Sequence, residues 1–82
     1  MEFREVTFGN YRVRDDGNIY SIKRKRYLRP WVNKGYKMIT VDGKQKTLAH
    51  VLIEAFHGVK PFRVQFIDMN PLNVTLDNLK WR

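Results

Sequence analysis

Cysteine is absent from this chain of 82 residues, so neither a disulfide bond nor a thiolate zinc site can stabilise it. Long apolar runs are also missing. The run Val-Leu-Ile at 51–53 is among the longest, and we therefore expect neither a signal peptide nor a membrane-spanning helix. Both features fit a protein of the cytoplasm. The length predicts one small domain with a free energy of unfolding of about 5 kcal/mol.

Acidic residues are scarce. Eight Asp and Glu stand against sixteen Lys and Arg, which gives a formal net charge of +8 and an isoelectric point near 10.1. Residues 1–47 hold twelve basic and five acidic side chains, a net +7, whereas residues 48–82 hold four and three, a net +1. Seven cations and no acid lie between Lys23 and Lys37. Because solvated faces usually mix both signs, this clustering favours a polyanionic partner over a role in solubility alone.

The first half of the chain reads as short strands separated by turns. Segment 11–22 predicts a hairpin whose turn contains Gly17, a residue that tolerates positive φ. Segment 36–48 alternates apolar and polar residues around Asp-Gly-Lys at 42–44, which predicts a second hairpin. Pro30 cannot donate to a strand ladder, so the extended piece around it is expected at a sheet edge or just beyond one.

The periodicity changes at Leu48. Apolar residues then recur at i, i+3, i+4, i+7 and i+8, which predicts one helix over 48–58 with Thr47 as its N-cap and Gly58 as its C-terminal stop. A strand is predicted at 62–67, and residues 74–81 are interpreted as a short strand or an irregular segment. Hairpins, one helix and a final hairpin-like segment together indicate a single α+β domain.

Four segments, in this order, resemble the phage-type HNH homing endonucleases. They are YRVRDDGNIYS at 11–21, RYLRPWVNKGYKMITVDGKQKT at 26–47, LAHVLIEAF at 48–56 and QFIDMNPLNVTLDNLKW at 65–81. The specificity lies in their order and spacing rather than in any one of them. The resemblance implies a truncated ββα-type core over residues 1–82, with a basic hairpin half (1–47) and a degenerate HNH half (48–82). It also implies nucleic acid as the ligand and a bacterial host cell.

The resemblance also identifies what differs at the catalytic positions. In the family, an Asp/Asn-His pair supplies a metal ligand and the general base, and the metal stabilises the leaving oxygen of the phosphodiester. Gln65 and Phe66 occupy these positions. A phenyl ring cannot accept a proton, whereas a general base contributes about 10²–10⁴-fold to a rate. The sequence ends at Arg82, so the helix with the family's remaining metal ligand is expected to be absent. We expect no catalytic residue, no metal ligand and no cofactor, Mg²⁺ being the one ion considered.

The other polar side chains of this half are interpreted as structural. His50 lies off the apolar stripe of the helix and is predicted to face solvent. His57 is predicted in the C-cap region, where an imidazolium suits the negative end of the helix dipole. Trp81 is predicted to pack onto the helix. Turn-forming hydrogen bonds to the backbone are predicted for Asp68, Asn70, Asn73, Asp77 and Asn78.

Cations on the hairpins are the predicted nucleic-acid contacts, because they can lie along phosphates without reading bases. The run 23–26 is placed at a tip or an edge, since four cations cannot be buried. Tyr27 is left open between base stacking and packing, whereas Trp31 and Tyr36 are predicted to pack. The predicted contacts are Arg12, Arg14, Lys23, Arg24, Lys25, Arg26, Arg29, Lys34, Lys37, Lys44 and Lys46.

Three functions follow from this interpretation. The first is binding of nucleic acid, with double-stranded DNA as the expected form, by a catalytically inactive relative of the family. The second is an inhibitor or host-takeover role, in which the same scaffold binds a host protein that handles nucleic acid. The third is a weakened metal-dependent nickase, or one that another subunit completes.

Overall fold

A computed structural model describes residues 3–82, and within this range the chain forms nine strands, one α-helix and a short 3₁₀ helix. The α+β architecture that the sequence predicts is confirmed. The strands pair as three antiparallel sheets in sequence order. The first sheet contains β1 (Glu5–Phe8), β2 (Tyr11–Arg14), β3 (Ile19–Ser21) and β4 (Arg26–Tyr27). The second sheet contains β5 (Trp31–Asn33), β6 (Tyr36–Val41) and β7 (Lys44–Thr47), and the third contains β8 (Val64–Phe66) and β9 (Leu79–Trp81). Helix α1 (Leu48–His57) lies between β7 and β8, and the 3₁₀ helix (Leu76–Asn78) precedes β9.

Helix α1 begins and ends where the sequence predicts. Thr47 has extended backbone angles (φ −70°, ψ 139°), and its hydroxyl oxygen accepts the amide N–H of His50 at 3.4 Å. Gly58 adopts the left-handed conformation (φ 68°) and donates its N–H to the carbonyl of Glu54 at 3.0 Å. Both ends of the helix therefore have partners for backbone groups that would otherwise lack them.

One hydrophobic core joins the helix to all three sheets. The helix contributes five buried residues, and the strands and the segment before β9 contribute the others. Each buried Val, Leu or Ile side chain stabilises the fold by about 1.5–3 kcal/mol relative to full exposure. The core consists of Val13, Ile19, Ile39, Val41, Leu48, Ala49, Val51, Leu52, Ile53, Val74, Leu76 and Leu79.

The turn between β2 and β3 is in close contact with the C-terminal half. Gly17 has φ 92°, and a Cβ added to it would lie 2.5 Å from the carbonyl oxygen of Val74. The amide of Leu76 donates to the carbonyl of Asp15 at 2.7 Å. The predicted hairpin 11–22 is thus confirmed, and its turn packs directly against residues 74–76. Glycine is required at this position for two reasons: the backbone has a positive φ, and a side chain would collide with the Val74 carbonyl.

Several local predictions are corrected. Strand β1 is not predicted from the sequence, although Val6 and Phe8 alternate within it. The strand predicted at 62–67 is shorter, because only 64–66 pair with β9. Pro30 lies between β4 and β5, outside both ladders, as expected. No helix within residues 3–82 is long and apolar enough to cross a membrane.

Candidate nucleic-acid interface and the altered catalytic segment

A buried serine shapes the basic tip between β3 and β4. The Ser21 carbonyl accepts the amide of Lys25 at 2.8 Å, and the Ser21 hydroxyl accepts the amide of Arg24 at 3.2 Å. Lys25 adopts φ 56°, the left-handed conformation that closes the turn. These bonds leave the cations of the tip exposed to solvent. The prediction that the run 23–26 forms a tip is confirmed.

A groove of about 560 Å³ lies between this tip and the second sheet. Three arginines line it, Arg24, Arg26 and Arg29, together with the rings of Tyr27 and Trp31. Within residues 3–82 none of the three arginines has a carboxylate partner, because the ion pairs there are made by other cations. The groove therefore combines uncompensated positive charge with exposed aromatic surface, which is the chemistry that a nucleic-acid backbone and its bases require.

One carboxylate, that of Asp42, reaches the lining of the same groove. The amide of Asp42 donates to the hydroxyl of Tyr11 at 3.0 Å, and that hydroxyl lies 3.4 Å from Oδ1 of Asp42. Asp42 is thus held by a tyrosine rather than by an arginine. The guanidinium groups of the groove remain available to an external anion.

Arg12 and Arg14 are alternate residues of β2 and so share one face of the first sheet, but their environments differ. Arg12 is exposed and lies opposite Tyr20, whose ring contacts Tyr27 edge-on with centroids 5.2 Å apart. Arg14 makes a 2.7 Å ion pair with Asp16, and its guanidinium lies 4.0 Å from the ring centroid of Phe3. The nearby hydroxyl of Tyr27 and the charge of Asp16 raise the pKa of Arg14. The guanidinium of Arg14 is therefore already engaged by Asp16 and Phe3 within the fold.

The lysines of the second sheet and its turns also differ in whether they are paired or exposed. Lys46 pairs with Glu54 at 3.4 Å, and Lys37 is half-buried opposite Val32. Lys34 and Lys44 are exposed. Nine of the eleven predicted contacts are therefore cations without a carboxylate partner in the part of the chain that the structure describes. Eight of the nine are fully exposed: Arg12, Lys23, Arg24, Lys25, Arg26, Arg29, Lys34 and Lys44.

Trp31 and Tyr36 are less buried than predicted, with 37% and 49% of their surfaces exposed. Trp31 lines the arginine groove. Tyr36 lies against Phe66, with ring centroids 6.3 Å apart and planes inclined by 37°. The rings of Tyr36 and Phe66 border a pocket of about 250 Å³ that also includes Val64 and Val74. Phe66, which the sequence resemblance aligns with the family's general base, thus acts as an apolar packing residue between the second and third sheets.

The two histidines have other partners in the fold. The prediction that His50 faces solvent is wrong, because its side chain is half-buried. The Thr47 hydroxyl hydrogen-bonds to its imidazole at the start of the helix. His57 is the last helical residue, as expected, and its ring lies 5.3 Å from that of Trp81. Trp81 therefore contacts the end of the helix rather than its buried face.

Asp68 organises the loop between β8 and β9. Its Oδ1 accepts the amide of Asn70 at 2.8 Å and Nδ2 of Asn78 at 2.9 Å, while its Oδ2 accepts Nδ2 of Asn73 at 2.7 Å. The buried Asn78 also accepts the amide of Asp68 and donates to the carbonyl of Asn73. The amide of Leu72 donates to Oδ1 of Asn70 at 3.1 Å. The predicted side-chain bonds to the backbone are confirmed for Asp68, Asn70 and Asn78, whereas the Asn73 amide bonds the Asp68 carboxylate instead. Asp77 is exposed in the 3₁₀ helix.

These hydrogen bonds lower the pKa of Asp68, chiefly through Asn73, then through Asn70 and Asn78. An unfolded Asp titrates near 3.9. Because the folded-state pKa is lower, the unfolded chain takes up the proton first, so the stabilisation is complete above about pH 4 and is lost as pH falls through the folded-state pKa.

Urea unfolding between about pH 2.5 and 6 should show this loss of stability. The variant Asp68→Asn should be less stable than wild type at the upper end of that range, and the difference should shrink toward the lower end. A pH-independent difference would contradict this role.

The donor chemistry of this segment does not fit the divalent metal of the family. Gln65 offers a neutral amide oxygen, Phe66 offers none, and both carboxylate oxygens of Asp68 already accept hydrogen bonds from the loop. Within residues 3–82 no three His, Asp or Glu side chains are grouped as metal ligands would be.

Three cations outside the predicted set lie together on the third sheet. Antiparallel pairing places Arg63, Lys80 and Arg82 around Gln65. A local signal existed in the spacing, since Arg63 and Gln65, like Lys80 and Arg82, are two residues apart and share a strand face. The sequence pattern does not reveal the register that joins the two pairs.

Two known proteins are similar to the chain, and no family model matches it. An uncharacterised HNH endonuclease of Acanthamoeba polyphaga mimivirus is 32% identical over 85 residues, which cover 93% of this chain and 21% of that protein. The solved structure of I-HmuI, an HNH homing endonuclease that binds and cleaves DNA, matches with a TM-score of 0.76 at 30% identity. That match covers 100% of this chain and 52% of the other. The chain thus spans about a fifth of one relative and about half of the other.

Proposed function

Since the chain is HNH endonuclease-like in both sequence and fold, we propose that it binds nucleic acid, chiefly double-stranded DNA, and does not cut it. The arginine groove and the cations of the β3–β4 tip are the main contacts. They are exposed, they lack carboxylate partners within residues 3–82, and Tyr27 and Trp31 lie among them. The likeness to a DNA-binding homing endonuclease supports the choice of ligand.

The observation that carries the second part of the proposal is the environment of Phe66. At the position of the family's general base, a phenyl ring packs against Tyr36 and the apolar side chains beside it. The imidazole that borders the same pocket, that of His50, is already hydrogen-bonded to Thr47. Without a base, hydrolysis loses about 10²–10⁴-fold, and the donor set does not suit the metal that would activate water. Binding without cleavage is what this chemistry supports.

Gel-shift titration of a duplex, with supercoiled plasmid present in Mg²⁺ or Mn²⁺, tests both parts. We expect affinity to fall with salt on a log–log slope of about −0.9 for each phosphate contacted, so four groove and tip contacts give roughly −3.6. We expect no nicked plasmid at a large excess of protein. A flat salt dependence would overturn the binding proposal. Nicking that requires the metal would instead favour the third function, a weakened nickase or one completed by another subunit.

A protein partner is the second candidate, because two large apolar side chains are almost wholly exposed: Phe62 at 91% and Met69 at 88%. Exposed apolar side chains that join into one contiguous patch are typical of an interaction site. In this case the protein would act on a host protein that handles nucleic acid. One stoichiometric partner recovered from a host lysate, with no shift of DNA, would favour it. The bacterial cytoplasm is the proposed setting, although the mimivirus relative comes from a virus of a different kind of host.

A further inference from the structure

The outer face of the third sheet carries an unusual arrangement of like charges. Arg63 and Arg82 continue the ladder beyond β8 and β9: the amide of Arg82 donates to the carbonyl of Arg63 at 3.0 Å, and the amide of Arg63 donates back at 3.4 Å. Next to them, Gln65 pairs with Lys80. In an antiparallel ladder, directly opposite residues point to the same face, so all four side chains lie together.

This face forms a shallow cleft of about 140 Å³. It is lined by Arg63, Gln65, Lys80, Trp81 and Arg82, and none of these side chains is acidic. The carbonyl oxygen of Arg82 is turned away, since it accepts the amides of Phe62 and Arg63. Like charges placed directly across a ladder, as Arg63 and Arg82 are, destabilise it. An anion between them would convert this repulsion into attraction.

We propose that this cleft binds one phosphodiester group of the nucleic acid, without a metal ion. Arginine provides paired N–H donors that match the two non-bridging phosphate oxygens, lysine adds a point charge, and the Gln65 amide can donate to either of the same oxygens. Gln65 occupies the position where the family's metal ligand stands. Three protein cations therefore supply, at the altered catalytic segment, the positive charge that a dication supplies in the catalytic relatives. The inference rests on the proposed function but concerns a different surface from the arginine groove.

Two lysine variants provide a matched test. Lys80→Gln removes one charge from the cleft, whereas Lys60→Gln removes one from an exposed position outside it. For duplex binding followed by fluorescence anisotropy, we expect the variant Arg63→Gln/Lys80→Gln/Arg82→Gln to make the log–log salt slope shallower by about 0.9, because the three cations share one phosphate. Lys80→Gln alone should remove part of that change, and Lys60→Gln should leave the slope unchanged. Equal slopes for the triple variant and wild type would overturn the inference and leave the groove proposal intact.

A local measurement separates this inference from the proposed function. In backbone amide NMR, the dinucleotide d(TpT) should shift the resonances of residues 63–66 and 79–82, and the triple variant should lose those shifts. If the wild type bound no duplex yet showed these shifts, the phosphate site would stand and the proposed function would fall. Shifts with inorganic phosphate but none with d(TpT) would overturn the phosphodiester assignment.

A second readout is stability: Arg82→Gln should raise the melting temperature in phosphate-free buffer, because it removes the Arg63–Arg82 repulsion.

Discussion

Replacing Arg24, Arg26 and Arg29 together by glutamine should weaken duplex DNA binding by about a hundred-fold or more at roughly 50 mM salt, and should make the log–log salt slope shallower by about 2.7. The three side chains line one groove and are exposed, and among residues 3–82 no carboxylate pairs with them. Each phosphate that the variant fails to neutralise therefore keeps its condensed counterions. The binding free energy then lacks the contribution that release of those counterions makes in the wild type. Fluorescence anisotropy over a series of salt concentrations measures both the affinity and the slope.

The matched control keeps the charge and changes its shape. Lysine at the same three positions retains the formal charge of the groove, so we expect the salt slope to stay close to that of wild type. The affinity should fall only modestly, because lysine lacks the paired donors of a guanidinium group. Equal slopes for the glutamine variant and wild type would show that the duplex binds elsewhere. Because the three arginines are on the surface, thermal melting of both variants should remain near the wild-type value.

Gly17→Ala should cost about 3 kcal/mol, a large part of the stability of so small a domain. The new Cβ would meet the carbonyl oxygen of Val74 at 2.5 Å, and the backbone at φ 92° is strained for any L side chain. The obstructing atom belongs to the backbone, so no rotamer change can relieve the contact. A loss of this size corresponds to a fall of about 10–25 °C in the melting temperature.

Gly43→Ala is the control for the backbone angle alone. Gly43 also has a positive φ, 76°, but nothing lies within 4 Å of a Cβ placed there. We expect a loss of about 1–2 kcal/mol, the cost of the left-handed conformation without a clash. Similar losses at Gly17 and Gly43 would show that the close approach to Val74 contributes nothing.

Local chemistry made part of this fold predictable. Thr47 and Gly58 bound the helix because a hydroxyl and a glycine satisfy its two ends, and both signals are readable over a few residues. The turn at Gly17 and the loop hydrogen bonds of Asp68 and Asn70 are local for the same reason. The groove arginines were found because their charges are close together in the sequence as well as in space.

The remaining features depend on pairing between distant segments. Arg63 and Arg82 are separated by the whole loop and the 3₁₀ helix, and only the β8–β9 ladder brings them together. The sequence pattern does not reveal that Phe3, from before β1, approaches the guanidinium of Arg14. Trp31 looked like a core residue by its type, yet it borders a groove. Residue type and spacing predict elements, whereas register decides which side chains meet.

The asparagine network around Asp68 has a consequence for how this domain can change. Phe66 lies against Tyr36 and borders an apolar pocket, so another apolar side chain of similar size could take its place. Asn78 has no such freedom, because it is buried and bonds to Asp68 and Asn73. Sequence variation in this segment is therefore expected at the packing position rather than at the amide that holds the loop together.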